Sequence, residues 1–495
     1  MNNRSVSGNQ SSITQGSILT FLSMILTRGS SMAQSVIVAR WLDPYRVGVF
    51  SILSYVLSLA GAFTDIGLPA AAIKLVAECR AGRRKDLKTL LFTVFVAMLT
   101  LAGLAATLLF FAADRLALVY HEAALAPLFK LGALLLILSL LGGLLSGILQ
   151  GLQRIEVLAA LGPVKGFTAL LVTLLLLPSM GLTGILMASM IAEAMAWFLA
   201  YRPFSQAVSQ DPSERMRFSW DFLSRGFSLG VPIFLSGLIL WGTPLLVRSF
   251  LAQTRGYQEV GLFQVADSFG RLLLLLPAAV SVPFMPAVSE RAAVEPHMVF
   301  GLARAGIRWT ILAALPFGLF FFLSAERLIG FVYGASFAGA GSLGSLLILA
   351  AFLQSVSVIV WSFLVGTGKV WPGFTIQMAS QTLLLALTMV LVPRHGLVGL
   401  GVATIVASAA GLLLGLAYLR RRFDLSLKGN GPLLATSLLG WCTAGVLWSL
   451  GWAGFLPAIV LAVFCLVMEA RYMTNDERRR IREILRFVPF ERGAA

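Results

Sequence analysis

LPSMGLTG at 177–184 and VPRHGLVG at 392–399 carry proline, glycine, leucine and glycine in the same columns, 215 positions apart. With that offset and no gap, Gly151 meets Gly366, Arg154 meets Lys369, Ala188 meets Ala403 and Ala192 meets Ala407. Earlier, VGVF at 47–50 meets VGLF at 260–263 at an offset of 213, and Glu78 meets Glu290 at 212. Each half opens on a Gly-led apolar run, GSILTFLS from 16 and GFSLGVPI from 226. The matches include prolines and glycines of connecting segments and hold their spacing over several apolar runs, so the chain reads as a duplication.

Composition says what is duplicated. Of 495 residues, 58% are hydrophobic and only 12% charged, and the mean hydropathy is +0.88. A soluble domain carries about a quarter charged residues, so much of this surface must face lipid. Runs long enough to cross the hydrocarbon as helices, roughly 20 residues each, lie at 16–39, 46–68, 89–112, 127–150, 157–177, 181–201, 226–250, 259–282, 302–323, 342–365, 372–392, 396–419, 432–450 and 452–470. They are too long and too uniformly apolar for barrel strands. The first fifteen residues are polar, and the apolar run after them reads as a retained first span rather than a cleaved signal.

Lysine and arginine set the orientation. With the N-terminus in the cytoplasm, 28 of the 38 basic residues fall on cytoplasmic segments, including Lys74, Arg80, Arg154, Lys165 and Arg420–Arg422. The opposite loops hold Arg40, Arg46, Arg115, Lys130, Arg248, Arg255, Arg327 and Arg394, while Arg28 and Arg271 lie inside spans. This positive-inside bias puts both termini in the cytoplasm. The formal charge of +16 is spread among short loops as orientation requires, so it does not point to nucleic acid.

The expected fold is therefore all-α and polytopic. Two six-helix bundles, at 1–210 and 211–425, are related by a pseudo-two-fold axis along the membrane normal. Two further helices at 426–472 and a basic tail at 473–495 follow, the tail reading as a short helix on the inner leaflet from Ile481, Ile484, Leu485 and Val488. Paired bundles that rock about a central cleft point to transport by alternating access. Pro232 and Pro244 in span seven, and Pro277, Pro283 and Pro286 in and after span eight, are expected to interrupt those helices. Gly143, Gly147 and Gly151 recur every fourth residue, which suits close helix contact.

Charges at membrane depth are the candidate functional groups. An arginine at a helix centre costs about 2.5–3.5 kcal/mol on insertion scales, so Arg28 and Arg271 should face a wet cavity or an acid. The planar guanidinium fork matches phosphate oxygens, and the two could bind a phosphate or diphosphate. Asp267, four residues before Arg271, offers an intrahelical ion pair instead. Glu193 in span six reads either as a proton-coupling site or as an ion-pair partner of Arg28. Asp65 sits where it could cap span two, and Lys74 could draw an anionic headgroup to the cytoplasmic mouth. No cofactor is implied beyond a coupling H⁺ or Na⁺. The three cysteines are unpatterned, no CxxC or HExxH occurs, and His121, His297 and His395 form no catalytic pattern. No acid pair stands at a spacing suited to glycosyl transfer, which argues against an enzyme.

The segment ARWLDPYRVGVFSILSYVLSLAGAFTDIGLPAAAIKLVAE, 39–78, resembles the opening of bacterial polysaccharide transporters. These are the O-antigen-type flippases of the multidrug/oligosaccharidyl-lipid/polysaccharide exporter superfamily. The shared elements are the apolar–Ala–Arg run before Asp43–Pro44, the spacing from Tyr45 to Gly48, and the small residues of Gly67–Ala72; VGLFQVADSFGRLLLLLPAAVSVPFMPAVSE, 260–290, is similar to the family's second half. The resemblance implies a flippase that moves undecaprenyl-pyrophosphate-linked oligosaccharides from the inner to the outer leaflet. It also implies two six-helix lobes, a cationic cavity to which the related lipid II flippases contribute arginines of spans one and eight, the spans that here carry Arg28 and Arg271, and a pathway shared with a polysaccharide polymerase and glycosyltransferases. The drug-exporting branch is the rival, although its cavities are usually acidic.

Overall fold

The computed structural model describes residues 3–65, 68–80, 87–209, 217–294, 299–423 and 431–472. The described residues form helices and turns, and the fold is all-α. The first half comprises α1 (Asn3–Trp41), α2 (Pro44–Asp65), α3 (Leu68–Arg80), α4 (Leu87–Val119), α5 (Leu125–Gly151), α6 (Ile155–Met180) and α7 (Leu182–Ser209). The second comprises α8 (Trp220–Arg255), α9 (Tyr257–Gly270), α10 (Leu275–Val294), α11 (Val299–Tyr333), a 3-10 turn (Ala335–Ala340), α12 (Gly341–Gly366) and α13 (Val370–Phe423). α14 (Gly431–Ser449) and α15 (Phe455–Tyr472) follow. Eight described segments are long and apolar enough to cross a membrane, and α14 and α15 hold shorter apolar runs. The chain is a multi-pass membrane protein. The basic tail lies outside the described residues.

Helices reach further than hydropathy suggests. Residues 69–80 and 283–294, read as loop for their charges, continue as α3 and α10, because lysine, glutamate and arginine are good helix formers and do not by themselves end a helix. α8 runs unbroken through Pro232 and Pro244. Span eight is broken, but at Arg271–Leu274, where Leu272, Leu273 and Leu274 bond three residues back, to the carbonyls of Phe269, Gly270 and Arg271. Pro277, lacking an N–H, cannot bond the Leu273 carbonyl, which favours the tighter turn there.

The chain folds as two compact units, Met1–Gln264 with Val332–Ser336 and Val265–Phe331 with Phe337–Ala495. In the first, Leu68, Val76, Leu90, Met98, Leu144 and Ile148 form a core that joins α3, α4 and α5. In the second, α12 packs against α10 and the first part of α13 doubles back on the rest.

The repeated corner is the same backbone twice. Gly181 ends α6 with φ 55° and ψ −130°, and Gly396 turns α13 with φ 55° and ψ −136°. A Cβ is strained in that region, so glycine is required at both. Three residues on, a Cβ at Gly184 would lie 2.7 Å from the Leu176 carbonyl oxygen, and one at Gly399 2.5 Å from that of Leu391. The echo extends to packing. A Cβ at Gly151 would meet Ile73 and Val76, and one at Gly366 would meet Met285 and Val288, residues related by the same offset of 212 as Glu78 and Glu290. Gly147 lies against the Pro69 carbonyl, whereas Gly143 has open space beside it.

Gly396→Ala is expected to destabilise the detergent-solubilised protein by about 1–3 kcal/mol. Gly301→Ala, on α11 with nothing within 4 Å, is expected to be neutral or mildly stabilising. Thermal unfolding followed by intrinsic fluorescence compares them, and equal losses would remove the conformational argument.

Candidate functional site

The two VG(V/L)F stretches meet each other in the first unit. Gly48 of α2 lies against the Tyr257 carbonyl and Gly261 of α9 lies against the Pro44 carbonyl; a methyl at either would fall inside the facing oxygen. The contact is reciprocal, with residue i on j and the repeat of j on the repeat of i, as an isologous two-fold contact requires. One position along each stretch, Ser51 donates to Gln264 Oε1 at 2.8 Å, again a residue and its own repeat.

Arg248 of α8 occupies this contact and is 1% exposed. Its Nε donates to Ser51 Oγ at 2.9 Å, its Nη2 to Gln264 Oε1 at 2.9 Å, and its Nη1 to the Pro244 carbonyl at 3.4 Å. The guanidinium carbon stands 3.9 Å from the Tyr55 ring centre and 4.5 Å from that of Phe263, a cation held between two aromatic rings. Sequence reasoning placed Arg248 in a loop. The structure instead embeds it about two turns before the end of α8. The available signal was polar Ser51 and Gln264 in the same repeat column, directly after the glycine-bearing stretches.

Next to Arg248, three tyrosines tie α2, α8 and α9 to the turn that follows α4. Tyr45 donates to Glu122 and meets the Tyr257 ring edge-on at 5.4 Å. Tyr257 donates to the Tyr120 carbonyl at 2.7 Å, and the Tyr120 and Ser249 hydroxyls lie 2.8 Å apart. Burial pushes the Tyr120 phenol above its usual range, the Ser249 contact opposing it in part.

Arg28 is exposed on α1. Arg271 stands at the break between α9 and α10 and pairs with Asp267 at 3.0 Å, its side chain 55% exposed. Glu193 of α7 is 3% exposed and is paired by Lys165 of α6 rather than by Arg28. Lys165, counted above as cytoplasmic, lies well inside α6. The pair borders a cavity of about 190 Å³ with Ser139, Ser146 and Trp197; a Cβ at Gly142 would sit 2.8 Å from Glu193 Oε2. Lys74 is exposed on α3; Asp65 ends α2, and its side chain lies outside the described residues. Among the described residues no three His, Cys, Asp or Glu side chains gather as metal ligands would.

Lys165→Met leaves a buried carboxylate without its cation and is expected to cost about 2 kcal/mol, below the usual cost of breaking a buried pair because Lys165 is half exposed. Adding Glu193→Gln is expected to restore most of it in thermal unfolding; additive losses would mean that the two residues act separately.

Comparison with known proteins bears on the fold and the family. A structure of the lipid II flippase MurJ, in an inward closed conformation, superposes with a TM-score of 0.74 at 13% identity, covering 94% of this chain and 100% of that one. An inward-facing multidrug resistance MATE transporter of the MOP superfamily gives 0.67 at 15% identity, over 84% and 99%. The MATE multidrug transporter DinF-BH gives 0.62 at 16%, over 83% and 95%. At these identities the likeness is one of fold. No curated protein matches the sequence. Residues 37–342, more than half of the chain, match the family described as polysaccharide biosynthesis protein, and the chain belongs to that family.

Proposed function

We propose that the chain is a flippase for a lipid-linked oligosaccharide. It carries an undecaprenyl-pyrophosphate-linked glycan from the inner to the outer leaflet of a bacterial inner membrane for surface polysaccharide synthesis, with both termini cytoplasmic. The observation that carries this reading is membership of a polysaccharide biosynthesis family in a chain with the fold of a lipid II flippase. The mechanism is transport without an enzymatic step. On the positive-inside orientation, the reciprocal glycine contact and Arg248 close the outer end, and release of substrate requires α2 to part from the α8–α9 corner. Arg28 and Arg271 are the proposed ligands of the diphosphate, Lys74 attracts it from the cytoplasmic leaflet, and Glu193 is the candidate for coupling to H⁺ or Na⁺. A polymerase and glycosyltransferases are the proposed partners in the pathway.

The second reading is a multidrug or small-molecule antiporter, favoured by the likeness to MATE transporters. Deleting the gene separates them. Loss of surface polysaccharide with accumulation of a lipid-linked precursor on the inner leaflet supports the flippase; drug sensitivity with intact polysaccharide supports the antiporter. Arg28→Glu and Arg271→Glu are each expected to reduce polysaccharide export by roughly 10- to 100-fold, the worth of a charged hydrogen bond to phosphate, with normal insertion. Export at parental levels by both inserted variants would remove these arginines from the path.

A further inference from the structure

Within the second unit, the two ends of α13 enclose a groove of about 640 Å³, bordered by Trp371, Ile376, Leu414, Tyr418, Arg421 and Arg422. We propose that this groove is a binding site for one anionic glycerophospholipid of the inner leaflet, its phosphate on Arg421 and Arg422 and an acyl chain along Ile376 and Leu414.

The depth follows from the helix itself. Trp371 and Arg421 each lie 25 residues from the Gly396 corner, which at the rise of an α-helix is about 37 Å. The hydrocarbon is about 30 Å thick. With the corner at one interface, the groove opens at the headgroup level of the other. Its residues match that level, since tryptophan and tyrosine favour the interface and arginine reaches to it. The run Arg420–Arg422 marks the cytoplasmic side.

The chemistry selects the headgroup. Trp371 is 65% exposed, and Arg421 and Arg422 are exposed and have no acidic partner in an ion pair among the described residues. Two adjacent guanidinium groups favour a phosphodiester with no cation of its own and disfavour choline. One or two turns deeper the walls become apolar, as a lipid with its chains in the membrane requires. Arg420 shares the same helical turn but does not border the groove, which gives a control with equal charge and equal effect on orientation.

The full chain, purified in detergent, is titrated with dioleoylphosphatidylglycerol or dioleoylphosphatidylcholine and followed by native mass spectrometry. One phosphatidylglycerol is expected to stay bound at energies that strip phosphatidylcholine. Arg421→Gln and Arg422→Gln are each expected to weaken it about fivefold, and Arg420→Gln to leave it unchanged. Equal retention of the two lipids overturns the proposal, as does a loss with Arg420→Gln equal to that with Arg421→Gln, which would mean diffuse attraction. Displacement by millimolar inorganic phosphate also overturns it, since the ligand would then be a free anion.

Discussion

Gly48→Ala is expected to hold the α2–α9 contact open. The obstacle is the Tyr257 carbonyl, a backbone atom that no rotamer change can move aside. Forcing a methyl into such a contact costs about 1–3 kcal/mol, enough to shift the closed population roughly 5- to 100-fold. Hydrogen exchange of the amides at 250–262 reads this directly and is expected to accelerate by about tenfold or more. Gly261→Ala should do the same from the other side of the pseudo-axis. Gly29→Ala, with nothing within 4 Å, is the control. If all three variants exchange alike, the glycine contact does not gate this end.

Arg248→Ala is expected to carry the largest stability loss, about 3–4 kcal/mol, because it removes a buried, hydrogen-bonded cation together with two aromatic faces. Arg248→Lys should recover less than half of it. An ammonium cannot reach Ser51 and Gln264 at once in the plane between Tyr55 and Phe263. Unfolding in detergent measures both variants. Full recovery by lysine would mean that charge alone matters and that the planar fork does not.

The corners were legible because they rest on local requirements. A positive φ at Gly181 and Gly396 and prolines at 178 and 393 write themselves into the sequence whatever packs around them. The reciprocal contact was half legible, in that VGVF and VGLF aligned but nothing in the alignment said that they touch. Arg248 was hidden. Its partner Ser51 is 197 residues away and uncharged, and a basic residue in the last turn of the apolar run 226–250 is easily counted with the loop that follows. Lys165 lies inside the apolar run 157–177, and its acid, 28 residues on, is too far along the chain for spacing to pair them. Asp267 and Arg271 share one helical turn, so their pair was readable from spacing alone.

The closing contact is symmetric, but its lock is not. Gly48 and Gly261 are interchangeable in role, and so are Ser51 and Gln264, yet a single guanidinium fills the space beside them. The stretch of the first half that corresponds to Arg248 is SVIV at 35–38, which has no charge. A second-half sequence in both places would put a second arginine at the matching position of α1. On the proposed alternating-access reading, a chimera built from two copies of the second half is expected to insert as helices yet fail to hold this contact shut.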